Sequence, residues 1–215
     1  MSYEKIPIVV ALWNDTGFRH RRHLFGQDTP ELRPYWFDNY TSSVGVHPGP
    51  NFENDWVVTL YEHPNYLGKQ LHLGVGTFPS LPSLGFNDRV SSLKIWRVGK
   101  GDWPNMAQPA GPIGAIKPIP MVVELFWDAN FAGRRVTILE NTAALGSRGE
   151  SDLYMNDQAS SMRVHRGPDF QPGDQISLYR DVNFGGPALT VGEGDYPHLR
   201  AHGFNDIASS VRIRR

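Results

Sequence analysis

The sequence repeats itself at two scales, and this repetition constrains the fold more than any other feature. Residues 46–52 (VHPGPNF) recur 118 positions later as VHRGPDF, and residues 85–88 (GFND) recur at the same distance. A third match, between residues 76–81 and 194–199, has that distance as well. One constant offset predicts two homologous halves.

Each half contains a shorter repeat, a six-residue pattern that begins with two Asn or Asp residues and ends with two serines. The copies within a half lie 49 residues apart, and we call all four the hexapeptides: residues 38–43 (DNYTSS), 87–92 (NDRVSS), 156–161 (NDQASS) and 205–210 (NDIASS). Upstream of each lies an aromatic hairpin signature, clearest at residues 61–68, 126–133 and 179–186. The first copy has His20 where the others end in glycine. Histidine adopts a positive φ only at a cost, so we expect the first motif to be distorted.

Apolar and polar residues alternate in short runs between turn residues, as in residues 56–61 and 90–96, which predicts antiparallel strands. A Gly- and Pro-rich stretch between the halves predicts a semi-rigid connector rather than a strand. We therefore expect an all-β chain with two β-sandwich domains, each built from two Greek keys. The predicted ranges are residues 1–98 (motifs about 6–47 and 54–98), a linker at 99–119, and residues 120–215 (motifs about 120–166 and 173–215).

Composition excludes several classes of function. The 215 residues carry a net charge of −1, which argues against a general nucleic-acid binder. No apolar stretch approaches the ~20 residues that a membrane span needs. The chain has no cysteine, hence no disulfide framework and no thiol nucleophile, and no clear signal peptide. These features favour the cytoplasm, with secretion open if a leader was removed. No catalytic motif is present, and we predict that the protein is not an enzyme.

The hexapeptides carry oxygen ligands of the kind that Ca²⁺ prefers: a carboxylate, a backbone carbonyl and a serine hydroxyl. One copy has too few oxygens to fill a shell of six to eight, so a site must combine two turns and water. Asn, Asp and Ser also stabilise turns without any metal. Four paired copies favour the metal site.

Aromatic hairpins followed by [ND]-[ND]-x-x-S-S resemble the βγ-crystallin family, particularly its calcium-binding microbial members. The resemblance covers both halves and implies two Ca²⁺ ions per domain, held between paired hexapeptides. It implies ligands of four kinds. These are the carbonyls of Tyr40, Arg89, Gln158 and Ile207; the hydroxyls of Ser42, Ser91, Ser160 and Ser209; the side chains of Asn39, Asp88, Asp157 and Asp206; and the hairpin carbonyls of Asn14, Glu62, Trp127 and Arg180.

The sequence thus predicts a non-enzymatic calcium-binding protein whose cation stabilises the fold, in a structural or stress role, with no nucleic-acid or membrane partner. The alternative is an interaction module on the same fold, such as a protease inhibitor or toxin-like protein, with the protein partner unidentified. Its contact surface would be either a basic loop at residues 19–23 or the linker. A glycan-binding module is a third class, which rests on aromatic content alone. Asn39 lacks a charge, so its site should bind more weakly, and the C-terminal half should bind more faithfully.

Overall fold

The computed structural model describes residues 6–99, 101, 103–111, 119–146, 153–167 and 169–214. The chain divides into two compact units, Met1–Lys117 and Pro118–Arg215. Within the described ranges there is no α-helix, and no helix has the length and apolarity to cross a membrane. The all-β prediction is confirmed.

The described residues of the first unit form short strands in two four-stranded sheets. The strands are β1 (Ile8–Asp15), β2 (Arg19–Phe25), β3 (Ser43–Pro48), β4 (Trp56–His63), β5 (Leu67–Leu73), β6 (Gly76–Phe78), β7 (Ser92–Arg97) and β8 (Met106–Ala107). Their order is β2-β1-β3-β6 in one sheet and β7-β4-β5-β8 in the other. Strand β6 comes from the second motif yet pairs with β3 of the first, as in interleaved Greek keys.

The second unit repeats this arrangement. Its described strands are β9 (Met121–Asp128), β10 (Ala132–Ile138), β11 (Ser161–Arg166), β12 (Gln175–Asp181), β13 (Gly185–Val191), β14 (Gly194–Tyr196) and β15 (Ser210–Arg214). The sheets have the orders β10-β9-β11-β14 and β13-β12-β15. The exchanged strand is now β14, which pairs with β11.

Each unit buries one apolar core between its two sheets. In the first unit, Val10 on β1 and Leu60 on β4 are fully buried in the same cluster, together with Phe86. In the second, Leu125 on β9 and Leu178 on β12 share the corresponding cluster. Alternate residues of each strand point inward, so the period of two in the sequence becomes a two-layer sandwich.

The connector prediction was wrong for part of the Gly/Pro-rich stretch. Strand β8 pairs in parallel with β5, with Met106 opposite His72. Gly111 forms a bridge with Thr77, whose backbone N–H donates to the Gly111 carbonyl at 3.1 Å. The edge of a sheet can pair with any backbone that supplies hydrogen-bond donors and acceptors. Proline lacks the backbone N–H, but the residues between the prolines of this stretch keep theirs and can pair.

Candidate metal centres

The second residue of every hexapeptide adopts the left-handed conformation. Asn39, Asp88, Asp157 and Asp206 have φ of 59°, 49°, 53° and 54°. Asn and Asp tolerate this region better than other side chains because their short polar groups bond to nearby backbone. The turn geometry therefore explains why these residue types recur, independently of any metal.

The two hexapeptides of each unit lie side by side and bond reciprocally through their backbones. In the first unit, the Asn39 N–H donates to Val90 O at 2.9 Å and the Asp88 N–H to Thr41 O at 3.0 Å. In the second, Asp157 donates to Ala208 and Asp206 to Ala159, at 3.0 and 2.9 Å. Turns separated by 49 residues in sequence thus form one structural pair.

Each first serine of a hexapeptide meets the second residue of the opposite hexapeptide. Ser42 Oγ lies 3.2 Å from Asp88 Oδ1, and Ser91 Oγ lies 3.2 Å from Asn39 Oδ1. The second unit repeats the exchange; its contacts are Ser160 to Asp206 at 2.8 Å and Ser209 to Asp157 at 3.2 Å. Four hydroxyl–oxygen pairs result, and three of the four include a carboxylate.

The carbonyls predicted from the third hexapeptide position accept no hydrogen bond from any described residue; they belong to Tyr40, Arg89, Gln158 and Ile207. The fourth-position carbonyls are used instead, because they accept the reciprocal backbone bonds. The third-position carbonyls therefore keep their lone pairs available for water or a cation.

The predicted hairpin residues sit at strand irregularities. In all four hairpins the antiparallel register is interrupted, with one residue of the first strand opposite two of the second, and the first-strand residues are Asn14, Glu62, Trp127 and Arg180. Such bulges interrupt the ladder and leave a residue without a cross-strand partner. Each bulged residue lies beside the hexapeptide of its own motif. The backbone N–H of the hexapeptide's first serine donates to the carbonyl of the residue just before the bulge, as Ser91 N–H does to Tyr61 O at 2.9 Å.

Charge differs among the four pairs. Glu62 adds a carboxylate near Ser91, but Arg89 Nη1 lies 2.6 Å from its Oε1. The Lys69 backbone N–H and then the Arg89 guanidinium hold the pKa of Glu62 below its usual value. Across the described ranges, no three His, Asp or Glu side chains cluster as a metal site. A cation here would depend mainly on neutral oxygens.

The second serine of each hexapeptide has a structural function that the sequence reasoning missed. Its hydroxyl is buried, donates to a hairpin carbonyl and accepts an N–H from the hairpin turn. For Ser161 the partners are Asp128 O at 2.6 Å and Phe131 N at 2.9 Å. Ser43, Ser92 and Ser210 do the same in the other motifs. The sequence signal that could have indicated this function is that all four hexapeptides end in two serines, not one.

The expected distortion of the first motif was wrong. His20 takes φ of 62°, close to the 70–82° of Gly68, Gly133 and Gly186 at the matching positions. Trp13 and Phe18 still pack edge to face at 5.1 Å, as the aromatic pairs of the other hairpins do. The hairpin bonds to Ser43 hold this backbone in place, so the cost of a non-glycine residue is met by tertiary contacts.

Replacement of Ser161 by alanine should destabilise the protein even without a cation. It leaves a buried carbonyl and a buried N–H unpaired, which costs about 1–3 kcal/mol. The adjacent Ser160→Ala is the matched control, because that hydroxyl is only partly buried and bonds Asp206 alone. Urea unfolding in chelator should separate the two variants, and equal losses would contradict the structural assignment.

Comparison with known proteins gives consistent similarities. A family model described as Beta/Gamma crystallin matches residues 9–96. Beta-crystallin A4 of Bos taurus is 28% identical over 96% of this chain and 86% of its own length. A βγ-crystallin domain from Flavobacterium johnsoniae is 28% identical, covering 43% of this chain and 92% of its own, with a TM-score of 0.34. A clostrillin double mutant in complex with nickel is 24% identical, covering 44% of this chain and 98% of its own, also at 0.34.

Proposed function

Because this chain belongs to the βγ-crystallin family, we propose that it binds Ca²⁺ at its paired hexapeptides and uses the cation to stabilise its fold. The protein acts without catalysis, in a structural or protective role. The observation that carries the proposal is the reciprocal contact between a serine hydroxyl and an acidic or amide oxygen of the opposite turn, at 2.8–3.2 Å in all four pairs.

The donor set suits a hard divalent cation. Every pair joins a hydroxyl and a side-chain oxygen, and adjacent third-position and hairpin carbonyls supply further neutral oxygens. Ca²⁺ accepts such mixed oxygen shells in flexible geometry and completes them with water. Without the cation, each serine hydroxyl donates a hydrogen bond to the side-chain oxygen of the opposite turn. The polar groups of the turns therefore have partners whether or not a metal is bound.

The four sites should differ in affinity, because the number of charged ligands tunes calcium binding. Pairs that contain Asp88, Asp157 or Asp206 each bring one carboxylate. The pair of Ser91 with Asn39 brings none, and its neighbour Glu62 is engaged by Arg89. We therefore expect the Asn39 site to be the weakest of the four.

Calorimetric titration of chelator-treated protein tests the proposal. We expect saturable heat from three or four sites and a melting temperature that rises in millimolar Ca²⁺. Each site contributes about 2.7 kcal/mol at a hundredfold excess over its Kd. Asp206→Ala should remove one site and reduce the rise, and Asn39→Asp should strengthen the weakest site.

The matched control is Glu193→Ala, which removes an exposed carboxylate of the same unit that pairs with Arg166 outside the hexapeptides. It should leave calcium stoichiometry unchanged. A wild-type melting curve that does not move with Ca²⁺, together with no binding heat, would refute calcium binding.

A further inference from the structure

An ion pair joins two of the residues that surround one candidate metal centre. Arg89, third in the second hexapeptide, places its Nη1 2.6 Å from Oε1 of Glu62, the bulged residue of the same motif. The Lys69 backbone N–H donates to the other carboxylate oxygen at 3.4 Å. At the same hexapeptide, Ser91 Oγ lies 3.2 Å from Asn39 Oδ1. Both oxygens of the Glu62 carboxylate therefore already have partners within the protein.

The backbone on either side of Glu62 holds its side chain beside this hexapeptide. The preceding carbonyl, of Tyr61, accepts the Ser91 N–H at 2.9 Å. The following carbonyl, of His63, accepts the Ser92 hydroxyl at 2.7 Å. These two bonds do not involve the Glu62 carboxylate or the Arg89 guanidinium. The carboxylate thus stays next to the Asn39–Ser91 pair even when its ion pair is broken.

The four candidate sites differ in where their acidic side chain stands. At three of them the acid is the aspartate in the second place of the opposite hexapeptide, whereas Asn39 takes that place here. Here the acid is Glu62, in the hairpin, with Arg89 as its partner. The residues that match Glu62 and Arg89 at the other sites include no acid; they are Asn14 with Tyr40, Trp127 with Gln158, and Arg180 with Ile207.

A guanidinium and a calcium ion compete for the same carboxylate oxygens. The Arg89 side chain is 53% exposed and that of Glu62 is 25% exposed. Ion pairs of this exposure contribute at most about fivefold to an equilibrium constant. A divalent cation can therefore displace the guanidinium, but its apparent affinity falls by the stability of the pair.

We propose that Arg89 acts as an internal cation at the Asn39–Ser91 site and thereby sets the calcium affinity of this site. The inference rests on the proposed calcium binding at the hexapeptides. In the calcium-free protein the guanidinium neutralises the Glu62 carboxylate, which is the acidic group of this site. The guanidinium must leave before that carboxylate can face a bound cation. Arg89 is a residue that determines affinity, not a ligand through its side chain.

Calcium titration of the full chain followed by NMR tests this role at the site itself. Asn39 is the only asparagine in the second place of a hexapeptide, so its side-chain amide reports on this site alone. The amide signal is assigned by its loss in Asn39→Asp. We expect Arg89→Gln to tighten calcium binding at Asn39 at least about fivefold, because it releases the Glu62 carboxylate.

The second variant pair separates the released carboxylate from the mere loss of a positive charge. In a Glu62→Gln background, Arg89→Gln should give no more than about a twofold gain, since no carboxylate is left to release. Arg97→Gln is the matched control, because it removes another exposed arginine of the first unit, which pairs with Glu53 and Asp55 outside the hexapeptides. It should leave the affinity at Asn39 unchanged.

The outcomes distinguish this inference from the proposed function. Unchanged affinity at Asn39 in Arg89→Gln, with calcium still bound at the three aspartate sites, would overturn the inference and leave the proposed function standing. An equal gain with and without the Glu62 carboxylate would also overturn it, because charge removal alone would then explain the effect. Absence of calcium binding at every site, in wild type and variants alike, would refute the proposed function and this inference with it.

Discussion

Replacement of Arg135 by methionine is expected to destabilise the second domain by about 3–5 kcal/mol, because it removes the guanidinium from a buried carboxylate that then keeps only its contact with a histidine. Glu124 is fully buried and Arg135 is 7% exposed. Arg135 Nη1 lies 2.6 Å from Glu124 Oε1, and His165 Nε2 lies 2.9 Å from Oε2. The three residues come from adjacent strands β10, β9 and β11.

Urea unfolding of the full chain would measure this loss. Arg166→Met is the control, because its pair with Glu193 is exposed and such pairs contribute about 0–1 kcal/mol. Replacing both Glu124 and Arg135 by leucine should recover most of the stability, as the desolvation cost of both charges disappears. Similar losses for Arg135→Met and Arg166→Met would contradict this reasoning.

Replacement of Gly167 by alanine is expected to be equally damaging for a steric reason. A Cβ at this position would lie 1.9 Å from the Ile119 carbonyl oxygen. Gly49 has the same environment in the first unit, 2.1 Å from Ile6 O. The two backbone segments at this contact cannot move apart without losing hydrogen bonds between them, such as the one from Gly167 N–H to Pro120 O at 2.8 Å. We expect a cost at or above the usual upper limit for overpacking, about 3 kcal/mol.

Calorimetric melting checks this expectation, and for a unit of this size the loss corresponds to a shift of at least about 12 °C. Gly192→Ala is the matched control in the same unit, since nothing lies within 4 Å of a Cβ there. A tolerated Gly167→Ala would mean that the close approach to Ile119 is not maintained in solution.

These glycines also explain the longest sequence match. Within residues 46–52 and 164–170, the glycine permits the backbone approach, and the Asn or Asp two positions later accepts an N–H from the segment just before β1 or β9. Asn51 Oδ1 accepts from Ile6 at 3.1 Å, and Asp169 Oδ2 from Ile119 at 2.8 Å. The repeat was visible in the sequence, but its cause was a contact between distant segments.

The strands were predictable from the sequence because the alternation of apolar and polar residues encodes which side chains face the core. The pairing of strands between motifs was not predictable from that pattern. Strand β6 is three residues long, and its partner is chosen by the exchange of strands between motifs. Similarly, nothing local to Met106–Ala107 indicates that it completes the sheet beside β5. Short edge strands take their partners from the surrounding fold rather than from their own pattern.

The candidate site divides in the same way. The pattern itself identified the turn residues, since Asn, Asp and Ser are the residues that build such turns and also the oxygen donors that calcium prefers. The pairing of Ser42 with Asp88 across two motifs, and the hairpin contacts of Ser43, required the folded chain.

By itself, the sequence determined the two homologous halves, the sandwich class and the residue types of each turn, because repetition and alternation are local properties of the chain. Only the tertiary structure decided which oxygens meet across the two motifs and that His20 follows the glycine backbone. These outcomes depend on distances between segments far apart in sequence, and such distances exist only after the sheets have packed.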